Sequence, residues 1–399
     1  MKGGPGNERP QARGNRHQEE VLPPVYWLLP VAYYPLPSPE DFHIPILLTN
    51  ADVKKLISPA IAVEVMRETY RSIAEGNAVT RTRSQTFAET SQPGTFVELR
   101  TMDGIVPAFN SVGMRVLPDL HSWPRIGENQ RYDKIPKRNG KFLAFDMIFD
   151  LDTADLQAIV QDAYLQKMRI AGAHGVAAEQ LARKDAVRVG VIGSGWLAEG
   201  VLMGLNVARP LAHVKVFSPT QANRDRFAAS MTEQLQIDAQ AVDGPLEAAT
   251  DVDIVAVCTN TIDPVFFGKW LSPGIHLDSI SGRDIDDECF RRCDYTVLSM
   301  REGKCNEGLN FAPPVLEKKL GARFAPFTRP IPWDDYPELG EVITGKARQR
   351  ANDNEITFFC NNVGFGAQFA GLGGKAVALA KEQGVGKEFS IDDWYEDVR

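Results

Sequence analysis

At 399 residues the chain is too long for one ordinary hydrophobic core, so two domains are expected. With 43% hydrophobic and 24% charged residues it has the make-up of a soluble globular protein. Its formal net charge of −8 excludes nucleic acid as the main partner and a polybasic membrane anchor, since both need a basic face.

Residues 1–20 are polar and rich in Gly, Arg and Asn, and Val21–Leu36 is apolar but broken by prolines and too short to span a bilayer. It also lacks the uninterrupted apolar core and small-residue cleavage site of a secretory signal. Residues 1–43 are therefore expected to form an extended or disordered arm. Regular structure is expected from Ile44, with Asn50 or Asp52 capping a helix on which Val53, Leu56, Ala60 and Val63 recur at helical spacing. Ser84–Val116 alternates polar and apolar residues between turns at Gln92-Pro-Gly94 and Asp103-Gly104, which predicts a mostly antiparallel sheet. Residues 117–141 carry no apolar periodicity and read as a long loop, either a functional lid or an insertion. Phe142–Phe149 predicts a buried strand, and an alanine-rich helix is expected over Gln157–Arg183.

From Val187 the pattern changes. Val187–Ile192, Val214–Phe217, Asp253–Val257, Gly274–Leu277 and Tyr295–Leu298 are short apolar strands separated by helices, which predicts a parallel doubly wound sheet. After about residue 310 the alternation stops, and a glycine- and alanine-rich helix is expected over Phe365–Gln383. The five cysteines, Cys258, Cys289, Cys293, Cys305 and Cys360, are an odd number in one half of the chain; they suit reduced thiols in a cytoplasmic protein rather than a disulfide framework. Cys289, Cys293 and Cys305 lack the histidine or second close cysteine pair of a tetrahedral site, so no metal is expected.

The strand Val187–Ile192 runs directly into Gly193-Ser194-Gly195-Trp196-Leu197-Ala198, a G-x-G-x-x-A turn opening a helix. Gly193 suits the tight turn, Gly195 lets backbone approach a pyrophosphate, and Ala198 is small enough for close packing of helix on strand. Free N–H groups and the positive dipole end at the helix start then favour phosphate. This context predicts a dinucleotide site. The second strand ends in Ser218-Pro219-Thr220 with Arg224 shortly after, and no carboxylate stands where NAD-selective sites bind the ribose 2′-OH. NADP(H) is therefore expected in preference to NAD(H), with Arg224 either beside a 2′-phosphate or an ordinary exposed helix residue. Cys258, Thr259 and Asn260 follow a buried strand at its carboxyl end; they either border the nicotinamide ribose or cap a turn.

Taken together, the arginines of Thr80-Arg-Thr-Arg-Ser84 and Gln166-Lys-Met-Arg-Ile-Ala-Gly-Ala173, with Gly193–Ala198, Cys258–Pro264, Leu271–His276 and Asn362–Gln368, resemble the ornithine cyclodeaminase/mu-crystallin family from Ile44 to about Phe389. The resemblance implies an α/β protein: a Rossmann-type doubly wound parallel sheet plus a discontinuous α+β unit for substrate binding and dimerisation. The units expected are 44–168 with 355–399 for substrate and dimer contacts, 169–320 for the dinucleotide, and 321–354 as a connection. It implies a homodimer acting on a small amino or imino acid with a nicotinamide cofactor, making or reducing a C=N bond.

Arg83 (rather than Arg81, on the motif match), Arg115 and Arg169 are the substrate-binding candidates, because a planar guanidinium holds a carboxylate bidentately and keeps its charge when buried. The family's substrate lysine is replaced by Arg115 in Gly113-Met-Arg-Val116, and arginine cannot relay a proton as lysine can. Arg115 and Asp284 are the catalytic candidates, Asp284 as a loose match to the aspartate that activates an amine in cyclodeaminases. His121, in the expected loop, is a further proton-donor candidate, though an exposed histidine is the plainer reading. Phe369 stands where an aspartate is usual and Leu197 where a glutamine is common. These departures disfavour ornithine cyclodeamination and leave three functions: an NAD(P)-dependent oxidoreductase of imino or amino acids, a cyclodeaminase-type lyase with bound NAD, and a non-catalytic NADPH-binding protein.

Overall fold

The computed structural model describes residues 44–396 except 82, 127, 128, 132, 262, 302–308 and 312–330. The arm expected at 1–43, Cys305 and residues 321–330 of the connection lie outside the described residues.

The first unit begins with β1 (Ile46–Leu48), α1 (Asn50–Leu56) and α2 (Pro59–Glu75). The cap of α1 is Thr49, not Asn50 or Asp52: the Asp52 amide donates to its hydroxyl while the Thr49 amide donates to the Asp52 carboxylate, a closed capping box. A mostly antiparallel sheet follows, from β2 (Val79–Thr80), β3 (Ser84–Glu89), β4 (Phe96–Val106) and β5 (Ser111–Ser122). The chain then passes β6 (Arg125–Ile126), β7 (Asn129–Gln130) and β8 (Asp133–Ile135) and returns as β9 (Phe145–Phe149) and β10 (Leu156–Gln161).

The long loop expected over 117–141 is thus largely strand. Along β5 every second residue, Ser111, Gly113, Arg115, Leu117, Asp119 and His121, is buried. The alternation continues past 117, but its inward positions there are Asp119 and His121, so hydropathy alone does not reveal it. The helix expected from Gln157 starts later. Leu156–Gln161 is a strand paired parallel to β1, and α3 (Asp162–Leu181) follows it without a break.

The second unit is a fully parallel seven-stranded sheet, as expected from Val187 onward. In chain order it contains β11 (Arg188–Ile192), α4 (Trp196–Ala208), β12 (His213–Phe217), α5 (Gln221–Leu235), β13 (Asp238–Ala241), α6 (Pro245–Ala248), β14 (Ile254–Val257), β15 (His276–Ser279), α7 (Asp287–Arg292) and β16 (Tyr295–Leu298). After β17 (Leu309–Phe311), which pairs with β3 of the first sheet, and α8 (Leu339–Ile343), β18 (Thr357–Cys360) inserts between β15 and β16. The sequence places residues from 355 with the first unit; β18 instead belongs to the parallel sheet. A four-residue apolar run carries no information about which sheet receives it. The chain rejoins the first unit only with α9 (Gly366–Gln383) and β19 (Lys387–Glu388).

The strand orders are β17-β3-β4-β5-β9-β10-β1-β19, with β2 on β4 and β8 on β5, and β13-β12-β11-β14-β15-β18-β16. Helix α9 crosses the buried face of β4 and β5 at very short range. A Cβ on Gly366 would lie 2.0 Å from the Asp103 carbonyl carbon, and one on Gly113 would lie 2.7 Å from Ala370 Cα. Helix α3 packs on α2 from the first unit and on α4 from the second, and nearly all its faces are buried. One rigid element therefore carries side chains to both units, and the unit boundary expected at 168/169 falls in its middle.

Candidate active site

The dinucleotide turn sits at the carboxyl end of β11. Gly193 has φ 112°, and its amide donates to the Phe217 carbonyl at 2.8 Å. A Cβ at this position would lie 2.3 Å from the Cys258 carbonyl oxygen, so glycine is required twice over. Gly195 caps α4 with no side chain closing the helix end, and a Cβ there meets nothing within 4 Å. The Ala198 amide donates back to the Gly195 carbonyl at 3.0 Å, while the Trp196 and Leu197 amides at the positive end of α4 have no partner among the described residues and lie beside open space, which fits a pyrophosphate. The Ser194 hydroxyl donates to Ser218 Oγ at 2.8 Å, joining this turn to the end of β12, where Pro219 and Thr220 are exposed.

Arg224 is not an exposed helix residue. It is buried, donates to the Ser218 carbonyl at 3.1 Å and pairs with Asp243 at 2.5 Å, because the first turn of α5 aims it back under the β12 loop. Beside the turn, Leu197 is half-buried and Ala198 fully so, while Trp196 is half-exposed; its indole N–H donates to the Ala163 carbonyl of α3 at 3.3 Å. Lys167 of α3 stands 3.1 Å from the centre of the Trp196 ring and pairs with Glu199. Helix α3 is thereby locked to the start of α4.

The loop after β14 is built differently from the expectation. Cys258 is buried, its thiol pushed well up by burial, and it meets the turn only through its carbonyl. Both Thr259 donors, N–H at 3.1 Å and hydroxyl at 2.8 Å, go to Asp284. Ser279 donates to the other Asp284 oxygen at 3.1 Å. Asp284 is fully buried and its carboxyl is raised by that burial. Both of its oxygens tie the Thr259 and Ser279 loops together, so it is a loop tie and not the amine-activating group expected from sequence. Asn260 donates to Asp133 at 2.8 Å, and Arg131 bridges to Thr261, so the segment after β5 reaches across to this loop.

Two of the three candidate arginines meet over one ring. Arg169 projects from α3, is buried, and has its guanidinium carbon 5.5 Å from the centre of Phe369. Its Nη1 donates to Gln368 Oε1 at 3.3 Å, its Nε has no partner, and no carboxylate contacts it among the described residues. Burial, and next the nearby Arg115 charge, pull its pKa down to about 10. Gln368 in turn donates to the Tyr70 hydroxyl at 3.0 Å, which is 2.8 Å from Ser299 Oγ; burial pushes this phenol up to about 12.

Arg115, on β5, lies 4.4 Å over the same Phe369 ring. Its fork is already engaged: Nε and Nη2 each donate to Asp162 at 2.7 Å, and Nη2 also reaches Gln166 at 2.8 Å. Arg115 is therefore a neutralised cation with only Nη1 turned elsewhere, 4.0 Å from the Met102 sulfur. Arg83 stands at the start of β3, half-buried. Its competitor Arg81 forms a bidentate surface pair with Asp103, which takes it out of consideration. His121 is neither in a loop nor exposed; it is buried on β5 and paired with Glu98.

The family model described as the ornithine cyclodeaminase/mu-crystallin family matches residues 128–369, more than half of the chain. The chain belongs to this family. An uncharacterised cyclodeaminase of Sinorhizobium fredii is 25% identical over 355 residues, covering 86% of this chain and 98% of its own. Alanine dehydrogenase of Archaeoglobus fulgidus is 25% identical over 341 residues, covering 84% and 93%. The structure of Thermococcus litoralis Δ1-pyrroline-2-carboxylate reductase with NADH and L-proline superposes with a TM-score of 0.70 at 25% identity, covering 86% of this chain and all of that one.

The position where the resemblance expects a lysine is built around Arg115 and two carboxyl groups. Arg115 comes with Asp162, which starts α3, and with Asp146, its direct cross-strand neighbour on β9. Asp162, Asp146, Gln368 and Tyr70 are site residues that sequence reasoning missed, although Gln368 lay inside a recognised motif. Asp162 also yields a stability test. Asp162→Ala leaves the Arg115 guanidinium buried without its counter-charge, and a loss of about 3–5 kcal/mol in denaturant unfolding is expected.

Proposed function

We propose that the protein is an NAD(P)-dependent oxidoreductase of C–N bonds, which reduces a cyclic imine or ketimine acid or, in reverse, dehydrogenates an amino acid. The observation that carries this reading is Arg169: a buried guanidinium that no carboxylate contacts among the described residues is suited to an anion brought from outside. A substrate carboxylate satisfies it bidentately through the guanidinium fork. The same helix is locked through Lys167 and Ala163 to the first turn of α4, so the carboxylate site and the dinucleotide turn are held in one frame.

A nicotinamide bound at this turn supplies or accepts the hydride. The protein's own residues do the rest. Arg169 anchors the carboxylate, Gln368 and Tyr70 fix the arginine's orientation, and the Phe369 ring gives a flat apolar wall that excludes water beside the C=N carbon. Asp284 holds the Thr259 loop in shape. A lyase needs a carboxylate facing the substrate amine, and Asp284 is spent on Thr259 and Ser279.

The cofactor is proposed to be NADP(H) in preference to NAD(H), because Ser218-Pro219-Thr220 places no carboxylate against a 2′-phosphate and Arg224 lies beneath that loop, held by Asp243. Purified protein with Δ1-pyrroline-2-carboxylate is expected to oxidise NADPH with a higher kcat/KM than NADH. Silence with both cofactors across cyclic imino acids would refute the oxidoreductase reading; a preference for NADH would refute only the cofactor choice.

A homodimer is proposed through the outer face of the first sheet, where Val97, Leu99 and Ile105 of β4 are 39%, 42% and 36% exposed and Val79 of β2 is 64% exposed. Leu99→Asp is expected to shift the sedimenting species to monomer. Among the described residues no helix is long and apolar enough to cross a membrane.

A further inference from the structure

Asp146 is the one carboxyl of this cluster that nothing above uses. It is fully buried on β9, and neither of its oxygens has a hydrogen-bond partner. Its neighbours are known from every side. Across one strand lies Arg115 of β5, whose fork is committed to Asp162; across the other lies Val160 of β10. Helix α3 contributes the Asp162 carboxylate and Gln166, and α9 packs Gly373 against the next inward residue, Ile148. An ionised Asp146 would place two carboxylates around one guanidinium, the second of them fully buried and without a hydrogen bond from the protein. Such a group keeps its proton.

We propose that Asp146 is carried as a neutral carboxylic acid and so fixes the pocket at one net positive charge, matched to a substrate that brings one carboxylate. Around the Phe369 ring, where Arg83 is not placed, the count is direct: Arg115 and Asp162 cancel, Asp146 adds nothing, and Arg169 remains. Burial first, and the Asp162 charge second, push the Asp146 carboxyl well above its usual range, in keeping with this state. Asp146 acts through Arg115 and Arg169 and is a positioning residue of the charge. The inference rests on Arg169 as the carboxylate site. It adds that substrate affinity is proton-linked: loss of the Asp146 proton brings the pocket to zero net charge and weakens anion binding.

Two measurements on wild type and Asp146→Asn test this. The first needs no substrate. An acid whose folded pKa is raised binds its proton more tightly when folded, so the Asp146 contribution to wild-type stability must fall as pH climbs from about 4, the unfolded value, toward the folded one. Thermal unfolding across that range is expected to show Asp146→Asn gaining on wild type as pH rises. Parallel curves would overturn the proposal. Asp146→Leu, uncharged and of similar size, carries the same expectation should the amide not be accommodated. The second measurement is the pH dependence of KM and kcat for Δ1-pyrroline-2-carboxylate with NADPH. Wild-type KM is expected to rise about tenfold or more once Asp146 ionises, with kcat changing less, and this rise is expected to vanish in Asp146→Asn. An identical KM profile in both proteins would overturn the proposed linkage. Failure of wild type to turn over any cyclic imino acid would count against the oxidoreductase reading, while the unfolding curves would still decide the state of Asp146.

Discussion

Arg169→Ala protein is expected to bind NADPH as tightly as wild type, while its kcat/KM for a carboxylate substrate falls on the order of a hundredfold. Removing one member of a buried, hydrogen-bonded charge pair costs about 2–5 kcal/mol of binding, and each 1.4 kcal/mol is about tenfold. The loss should lie mostly in KM, because the guanidinium holds the carboxylate equally in the ground and transition states. Stability should move the other way or not at all. Arg169 is a buried cation with no carboxylate in contact among the described residues, so truncating it trades a packing loss against relief from an unfavourable charge. Arg169→Lys keeps a positive charge but not the planar fork, and is expected to fall between the two. A purely structural arginine would give the reverse pattern, with lowered thermal stability and an unchanged KM.

The second large effect is expected at the glycine turn. Gly193→Ala forces a side chain onto a backbone at φ 112° and drives a Cβ to within 2.3 Å of the Cys258 carbonyl oxygen. Strained backbone of this kind costs about 1–3 kcal/mol before any clash is counted. Relief requires the turn to move away from β14, and with it the amide that bonds Phe217. Titration with NADPH, followed by the fluorescence of the half-exposed Trp196 beside the turn, is expected to show saturable binding in wild type and none in Gly193→Ala. Gly195→Ala separates fold from binding. Gly195 has an ordinary φ of −90° and open space where a Cβ would go, so the variant should unfold like wild type. Its new methyl group points into the space a pyrophosphate would fill, and affinity for the dinucleotide should drop.

Five of the seven strands of the parallel sheet were legible because they are short apolar runs alternating with helices, and Gly193 and Gly195 punctuate the first crossover; β13, Asp-Ala-Gln-Ala and largely exposed, carries no such signal. The antiparallel sheet was legible only as far as Val116. Beyond it, β5 turns Asp119 and His121 inward, and a pattern of hydropathy cannot report a buried face made of charges that neutralise one another. Thr357–Cys360 was not singled out as a strand, and a four-residue apolar run does not say which sheet receives it. In the site, Arg115 and Arg169 were singled out by the family resemblance, and arginine chemistry suits the carboxylate it implies. The structure separates them by what sequence spacing does not encode: Asp162 occupies the fork of Arg115, and among the described residues no carboxylate contacts Arg169. Asp284 was assigned by position in a loop, yet Thr259 and Ser279 consume it. A carboxylate's role depends on its partners, and those lie 25 and 5 residues away along the chain.

Transfer of deuterium tests the central claim most directly. NADPH labelled at nicotinamide C4 is mixed with the protein and Δ1-pyrroline-2-carboxylate, and the amino acid formed is examined by mass spectrometry and NMR. Label on the α-carbon, with one NADPH oxidised per product, is the expected result. Ammonia released from a diamino acid with no net change in cofactor, and no label transferred to any cyclic imino acid, would contradict it.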